Sequence, residues 1–271
     1  MRGINPCSNC KSASASSPMI TYYYDKTFDG LLTAIFESFE RRQEFIEIKK
    51  LGESAASLWS ETVIVTTEPA KADRVWRALV KNISDTAANR LFRVHYSGMK
   101  EIDKSLFMLI RKIFLQGPGI LENCADSDVL AFRKADRRVS REAERVAQFI
   151  RFQKTADEIY FGVCGPDYDV VPMVLEHFRD RFADQRWMVY DTYRKKGYYY
   201  DGFEIQWVTL SSDKINSSGD VDFCVLSEDE ILFQQLWKQY FRSICIDQRL
   251  NLKLHRQKVP KKYWQYLTEK K

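Results

Sequence analysis

The stretch WMVYDTYRKKGYYYDGFEIQWVTL, residues 187–210, decides the fold. Trp187 to Asp191, Tyr198 to Tyr200 and Phe203 to Leu210 alternate aromatic and polar residues with the period of two that strands of a half-buried antiparallel sheet require. Between the first two runs, Lys195-Lys-Gly197 offers a hairpin tip. Working outward, Ser227-x-x-Glu230 has the form of a capping box, opening a helix whose predicted inward face is Ile231, Leu232, Leu236, Tyr240, Phe241 and Ile244. On the N-terminal side, Ile159 to Val163 reads as a strand, Gly165-Pro166 as a turn and Val170 to Phe182 as a helix. The expected class is α+β, with a central, mainly antiparallel sheet packed with helices and a long C-terminal helix.

The first half opens differently. Ile20-Thr-Tyr-Tyr-Tyr24 predicts a strand, Asp25 to Thr27 a turn and N-cap, and Phe28, Leu31, Leu32, Ile35, Phe36 and Phe39 one face of a helix. Thr62 to Thr67 predicts a second strand, Pro69 starts a helix, and further helices follow near 85–96 and 101–115. Gln116-Gly-Pro-Gly119 is a breaker. A helix from about Asp126 is expected to restart or continue at Ser140. Residues 1–18, rich in Ser, Ala and Pro, are expected to be a disordered extension. Residues 19–271 then form one domain, or two lobes dividing near 117–126.

Composition excludes several classes. No run approaches the roughly 18 apolar residues of a membrane span, and no signal-peptide core is present, so a cytoplasmic protein without a membrane partner is expected. Of six cysteines only Cys7-x2-Cys10 has metal-site spacing, with no second pair to complete it, and the three histidines are scattered, so no metal is expected. Gly-x-Gly-x-x-Gly, phosphate-loop and Gly-x-Ser-x-Gly signatures are absent, as is the Cys-x3-Cys-x2-Cys cluster motif.

Charge is segregated. The chain carries +5, whereas residues 238–271 alone carry ten Lys/Arg against Asp247 and Glu269. Arg249, Lys253, Arg256, Lys261 and Lys262, interleaved with Tyr263 and Trp264, suit a polyanion, while a solvated terminal helix with its aromatics docked on the core is the alternative. Arg194, Lys195 and Lys196 between tyrosines suit single-stranded nucleic acid, or simply an exposed hairpin.

A polar central block remains. On the helix from Val170, His177 and Arg181 border the apolar stripe, and Asp191 on the next strand is the expected partner of Arg181. Such a group could form an anion site with His177 and Asp191 as candidate acid and base, or an Arg–Asp bridge pinning helix to sheet. Arg151, between Phe149 and Phe152, could stack on aromatics, meet a polyanion, or snorkel at a helix end.

The blocks Tyr24-Asp-x-Thr-Phe-Asp-Gly-Leu-Leu-Thr-Ala-Ile-Phe36, Phe149-Ile-Arg-Phe152, His177-Phe-x-x-Arg-Phe182, Asp191-x-x-Arg194 and Val259-Pro-Lys-Lys-Tyr-Trp264 carry a resemblance. In order and separation they resemble a bacterial family associated with DNA repair and DNA metabolism, which contains the domain of unknown function numbered 4130. The resemblance implies a DNA-directed role beside a radical S-adenosylmethionine protein. It places the iron–sulfur cluster and S-adenosylmethionine in that partner, leaves this chain without a cofactor of its own, and assigns no catalytic residue. The leading expectation is a nucleic-acid-binding auxiliary subunit in DNA repair or modification. The alternatives are a nucleic-acid-processing enzyme using the central block, and a protein–protein adaptor.

Overall fold

The computed structural model describes residues 20–53, 61–209 and 226–270; the segment 1–18 with Cys7 and Cys10, and Leu210 at the end of the last expected strand, lie outside them. The chain is α+β, divided into two compact units, one of residues 1–88 and 103–129 and one of 89–102 and 130–271.

The first unit is built on a three-stranded sheet of β1 (Ile20–Tyr24), β2 (Ile46–Lys50) and β3 (Glu61–Ile64), ordered β2-β1-β3 with both pairings parallel. Parallel strands need a crossover, and α1 (Phe28–Glu40) supplies it between β1 and β2. Its start is fixed by two side chains. Asp25 accepts hydrogen bonds from the backbone and hydroxyl of Thr27 and from the Thr67 hydroxyl, and the Thr27 oxygen caps Gly30 N at 2.9 Å. All five β1 residues are buried, as a central parallel strand requires. Helix α2 (Pro69–Ile83) and the rest of α4 (Ile102–Gln116) complete this unit, with Leu31, Leu32, Ile35 and Leu79 in its core.

The second unit takes in most of α3 (Asp85–Tyr96), residues 130–149 of α5 (Ser127–Phe149) and a five-stranded sheet, β4 (Phe152–Lys154), β5 (Tyr160–Cys164), β6 (Trp187–Asp191), β7 (Lys196–Tyr200) and β8 (Ile205–Val208) in sequential order. The sheet is mixed. β5 and β6 are parallel, joined through α6 (Val171–Arg181), and the other three pairings are antiparallel. The expected single, mainly antiparallel central sheet is therefore replaced by two sheets, one wholly parallel and one mixed. The α6 segment is long enough to return the chain to the starting end of the sheet, and that makes the pair parallel. One sheet face packs Val139, Val146 and Ile150 against Val174, Phe178, Trp187 and Val189. On the other, Phe161, Val163 and Tyr190 meet Tyr266 from the C-terminal segment.

Helix α5 runs through Ser140 without a break. The expected hairpin tip moves upstream: residues 192–195 form the turn, with Lys195 at φ 54°, and Lys196 and Gly197 already belong to β7. The expected long C-terminal helix is a 16-residue α7 (Glu228–Ser243) followed by short pieces: a 3-10 turn at Asp247–Arg249, α8 (Leu252–Lys258), and 3-10 turns at Lys261–Tyr266 and Thr268–Lys270. Asn251 caps α8, and Pro260 separates it from the 3-10 segment. The capping box does not form either. Ser227 makes no side-chain cap, and the Glu230 carboxylate accepts Lys154 N of β4 at 2.9 Å.

Candidate nucleic-acid interface

The polar central block does not assemble as expected. The chain leaves the C-terminal end of β5, descends along α6 and re-enters at the start of β6, so Arg181 and Asp191 lie at opposite ends of this crossover. An 11-residue helix is about 15 Å long and a five-residue strand about 13 Å, too far for one ion pair. Asp191, 1% exposed, instead bonds Arg194 Nη1 at 2.9 Å and accepts Tyr193 N and Arg194 N at 2.9 and 3.2 Å. The carboxylate thus closes an Asx turn and neutralises the cation three residues on. The Arg181 guanidinium lies over the Phe182 ring, 5.7 Å from its centre, and His177 is exposed with its ring edge-on to Phe178.

The cations around Asp191 are occupied as well. Arg194 donates to the carbonyls of Pro166 and Asp167, and Lys196 bonds Asp169 at 3.0 Å. Lys262, expected in solvent, reaches back to Glu142 and Asp167, both at 2.6 Å. Burial alone would lower its pKa, but the hydrogen bonds to Asp167 and Glu142 outweigh this and hold the ammonium above its ordinary value. Gly165 sits under this knot, and a Cβ there would run into the Tyr266 hydroxyl and Thr192 Oγ1. The cluster is a clasp that ties the C-terminal segment to α5 and to the β5 and β6 loops. It leaves the Asp191 carboxylate buried and committed to three hydrogen bonds.

Of Arg151, His177, Arg181 and Arg194, Arg151 alone lines the cavity of about 510 Å³ bounded also by Phe152, Phe233, Trp237 and Thr268. It neither stacks nor reaches out. It bonds Glu269 at 2.8 Å, and Trp237 Nε1 donates to the same carboxylate at 3.0 Å. Burial alone would push the Glu269 carboxyl up, but the bonds from Arg151 and Trp237 outweigh it and hold its pKa below the ordinary value. A carboxylate lowered in this way contributes stability that is full above the ordinary glutamate pKa of about 4.3 and is lost as pH falls through the folded value. Glu269→Gln should therefore cost about 2 kcal/mol at neutral pH, as charge-assisted bonds do. Thermal melting of both proteins against pH checks this: the gap should close below pH ~4.

Cations predicted to meet a polyanion stay exposed in the C-terminal region and at the hairpin. In the C-terminal region Arg249, Lys253, Arg256, Lys258 and Lys261 are exposed, while Tyr263 is buried and Trp264 is half-buried, its Nε1 bonded to the Val259 carbonyl at 3.0 Å. At the hairpin, Lys195 and Tyr193 are exposed.

A further basic surface, on α5, is not among the sequence-based expectations. On α5 the buried positions Phe132, Ala135, Asp136, Val139, Glu142 and Val146 recur at three- and four-residue spacing, which turns Arg133, Lys134, Arg137, Arg138 and Arg141 to solvent, with Arg145 half-buried at the end of the row. The acids of this stretch are turned inward and used: Asp136 pairs with Arg90, and Glu142 with Lys262. Glu144 is the exposed exception. Among the described residues no carboxylate pairs with Lys134, Arg137, Arg138 or Arg141. From Lys134 to Arg145 the row is about 17 Å long, the axial length over which a duplex carries roughly ten phosphates. The Lys262–Glu142 bond brings the segment carrying Lys261 against the half of α5 that holds Arg141 and Arg145. The sequence signal was available, since Arg133-Lys-Ala-Asp-Arg-Arg-Val-Ser-Arg-Glu-Ala-Glu-Arg145 holds six cations in 13 residues.

No group of three or more His, Cys, Asp or Glu able to hold a metal occurs among the described residues, and none of the described helices is long and apolar enough to cross a membrane. No curated protein matches the chain. A family model described as a domain of unknown function (DUF4130) matches residues 100–269, a span that contains α5, the five-stranded sheet and the C-terminal basic segment. By this match the chain belongs to the DUF4130 family.

Proposed function

We propose that the protein is a nucleic-acid-binding auxiliary subunit, acting on DNA in repair or modification beside a radical S-adenosylmethionine partner that supplies the redox chemistry. The observation that carries the binding reading is the α5 row of exposed cations, of which Lys134, Arg137, Arg138 and Arg141 pair with no carboxylate among the described residues, adjoined by the basic C-terminal segment. The helix backbone is ordered before binding, so only side-chain rotamer freedom is lost when these cations meet phosphates, and the counterions they release from the polyanion supply the driving force. The DNA context and the radical partner rest on the family resemblance alone, and the iron–sulfur cluster and S-adenosylmethionine belong to that partner.

The enzymatic alternative is weakened by Asp191, whose oxygens are engaged by Arg194 and two backbone amides. The test is direct titration of the full chain with single-stranded and duplex DNA across a salt series. Affinity should fall steeply and log-linearly with salt on either substrate. Binding that is absent, or indifferent to salt, sinks the proposal.

A further inference from the structure

Helix α7 carries its apolar side outward. Leu232, Leu236, Tyr240 and Ile244, expected to face the core, are between 50% and 56% exposed, and Phe233 beside them is 61% exposed. The opposite side of the helix is the one that is fixed: Glu230 bonds Lys154 N, Trp237 bonds Glu269, and Lys270 lies over the Phe241 ring. The helix is therefore anchored with a seam of residues at three- and four-residue spacing left open, the pattern by which one helix packs on another. With Ile231, also exposed, the seam offers a contiguous apolar surface, and a stable interface takes about 800 Å² from each partner.

We infer that this seam pairs with α7 of a second copy of the chain, antiparallel, about a two-fold axis at Gln235. The occupant is selected by charge. Glu228, Gln235 and Arg242 are spaced by seven residues and so line one edge of the seam. In an isologous antiparallel pair that edge faces itself reversed. Centred on Gln235, Glu228 of each copy meets Arg242 of the other, and the two Gln235 amides meet at the axis. Neither Glu228 nor Arg242 has an ion-pair partner among the described residues.

Sedimentation equilibrium of the full chain over a concentration series tests this. A dimer is expected, and Leu236→Glu, at an exposed position, should give a folded monomer with unchanged circular dichroism. Glu228→Arg and Arg242→Glu should each weaken the dimer at least about tenfold, because symmetry places every reversal opposite a like charge twice. The double reversal should restore it. A wild-type monomer at every concentration overturns the inference, including one in which α7 is protected from hydrogen exchange by another part of the same chain. So does a dimer indifferent to Leu236→Glu, or a double reversal that fails to recover dimerisation. DNA titration of the Leu236→Glu monomer keeps this result separate from the nucleic-acid reading, since the α5 row is untouched.

Discussion

Alanine in place of Arg137, Arg138 and Arg141 is expected to weaken DNA binding by roughly 100-fold or more at about 0.1 M salt, and to reduce the slope of log affinity against log salt by about three. Each cation that meets a phosphate contributes close to 0.9 to that slope, so its share of affinity at about 0.1 M is nearly a decade relative to 1 M. Three such contacts give two to three decades. Stability should hardly change, because all three side chains are exposed and none is in an ion pair among the described residues. The matching experiment on the C-terminal segment, Arg249, Lys253 and Arg256 to alanine, separates the two basic regions. If only the tail variant loses affinity, the α5 row is a solvated helix face and the interface lies in the last turns of the chain. Fluorescence anisotropy with a labelled oligonucleotide at four or five salt concentrations reads both quantities at once.

The sequence announced local structure far better than partners. The β1–α1 junction was legible because Asp25 and Thr27 act within a few residues of each other, and α3 and α4 because their apolar spacing is unambiguous. Strand β2, Ile46-Glu-Ile-Lys-Lys50, was not seen: it lies at the edge of its sheet, buries only Ile46 and Ile48, and reads as a charged loop. Missing it concealed the parallel sheet. The expected Arg181–Asp191 pair fails for a topological reason, since adjacency in sequence across a helix and a strand says nothing about which ends meet. On α7 the amphipathic pattern was real, but periodicity shows that a face wants a partner and not which one. The α5 row was hidden by the size of the window: residues 19–237 carry a net negative charge, which averages away six cations confined to 13 positions.

Asp191→Ala is the second large effect, and it should appear in stability. The carboxylate is 1% exposed and makes three hydrogen bonds, one of them to a guanidinium that is itself largely buried. Removing one partner of a buried pair leaves the other uncompensated and costs about 3–5 kcal/mol. Arg194 would keep the Pro166 and Asp167 carbonyls, with Asp169 at 3.8 Å, which limits the loss to the lower part of that range. Asp191→Asn should fall between wild type and alanine, because its amide oxygen can still accept Tyr193 N while the charge facing Arg194 is gone. Urea unfolding midpoints order the three proteins. DNA affinity, measured well below the transition, should fall far less than in the α5 triple-alanine variant, because Arg137, Arg138 and Arg141 stay in place and only the clasp of the C-terminal segment is loosened. The opposite pattern has a specific meaning. An Asp191→Ala protein as stable as wild type would show that the Arg194 bridge contributes nothing to the fold, and the carboxylate would then stand again as a candidate base. With the bridge formed as observed, the work of Asp191 is to close the β6–β7 turn and hold Arg194 across the loop that follows β5. That loop is where the C-terminal segment is clasped, so a weakened turn should also release Lys262 from Asp167 and raise protease cleavage after residue 258.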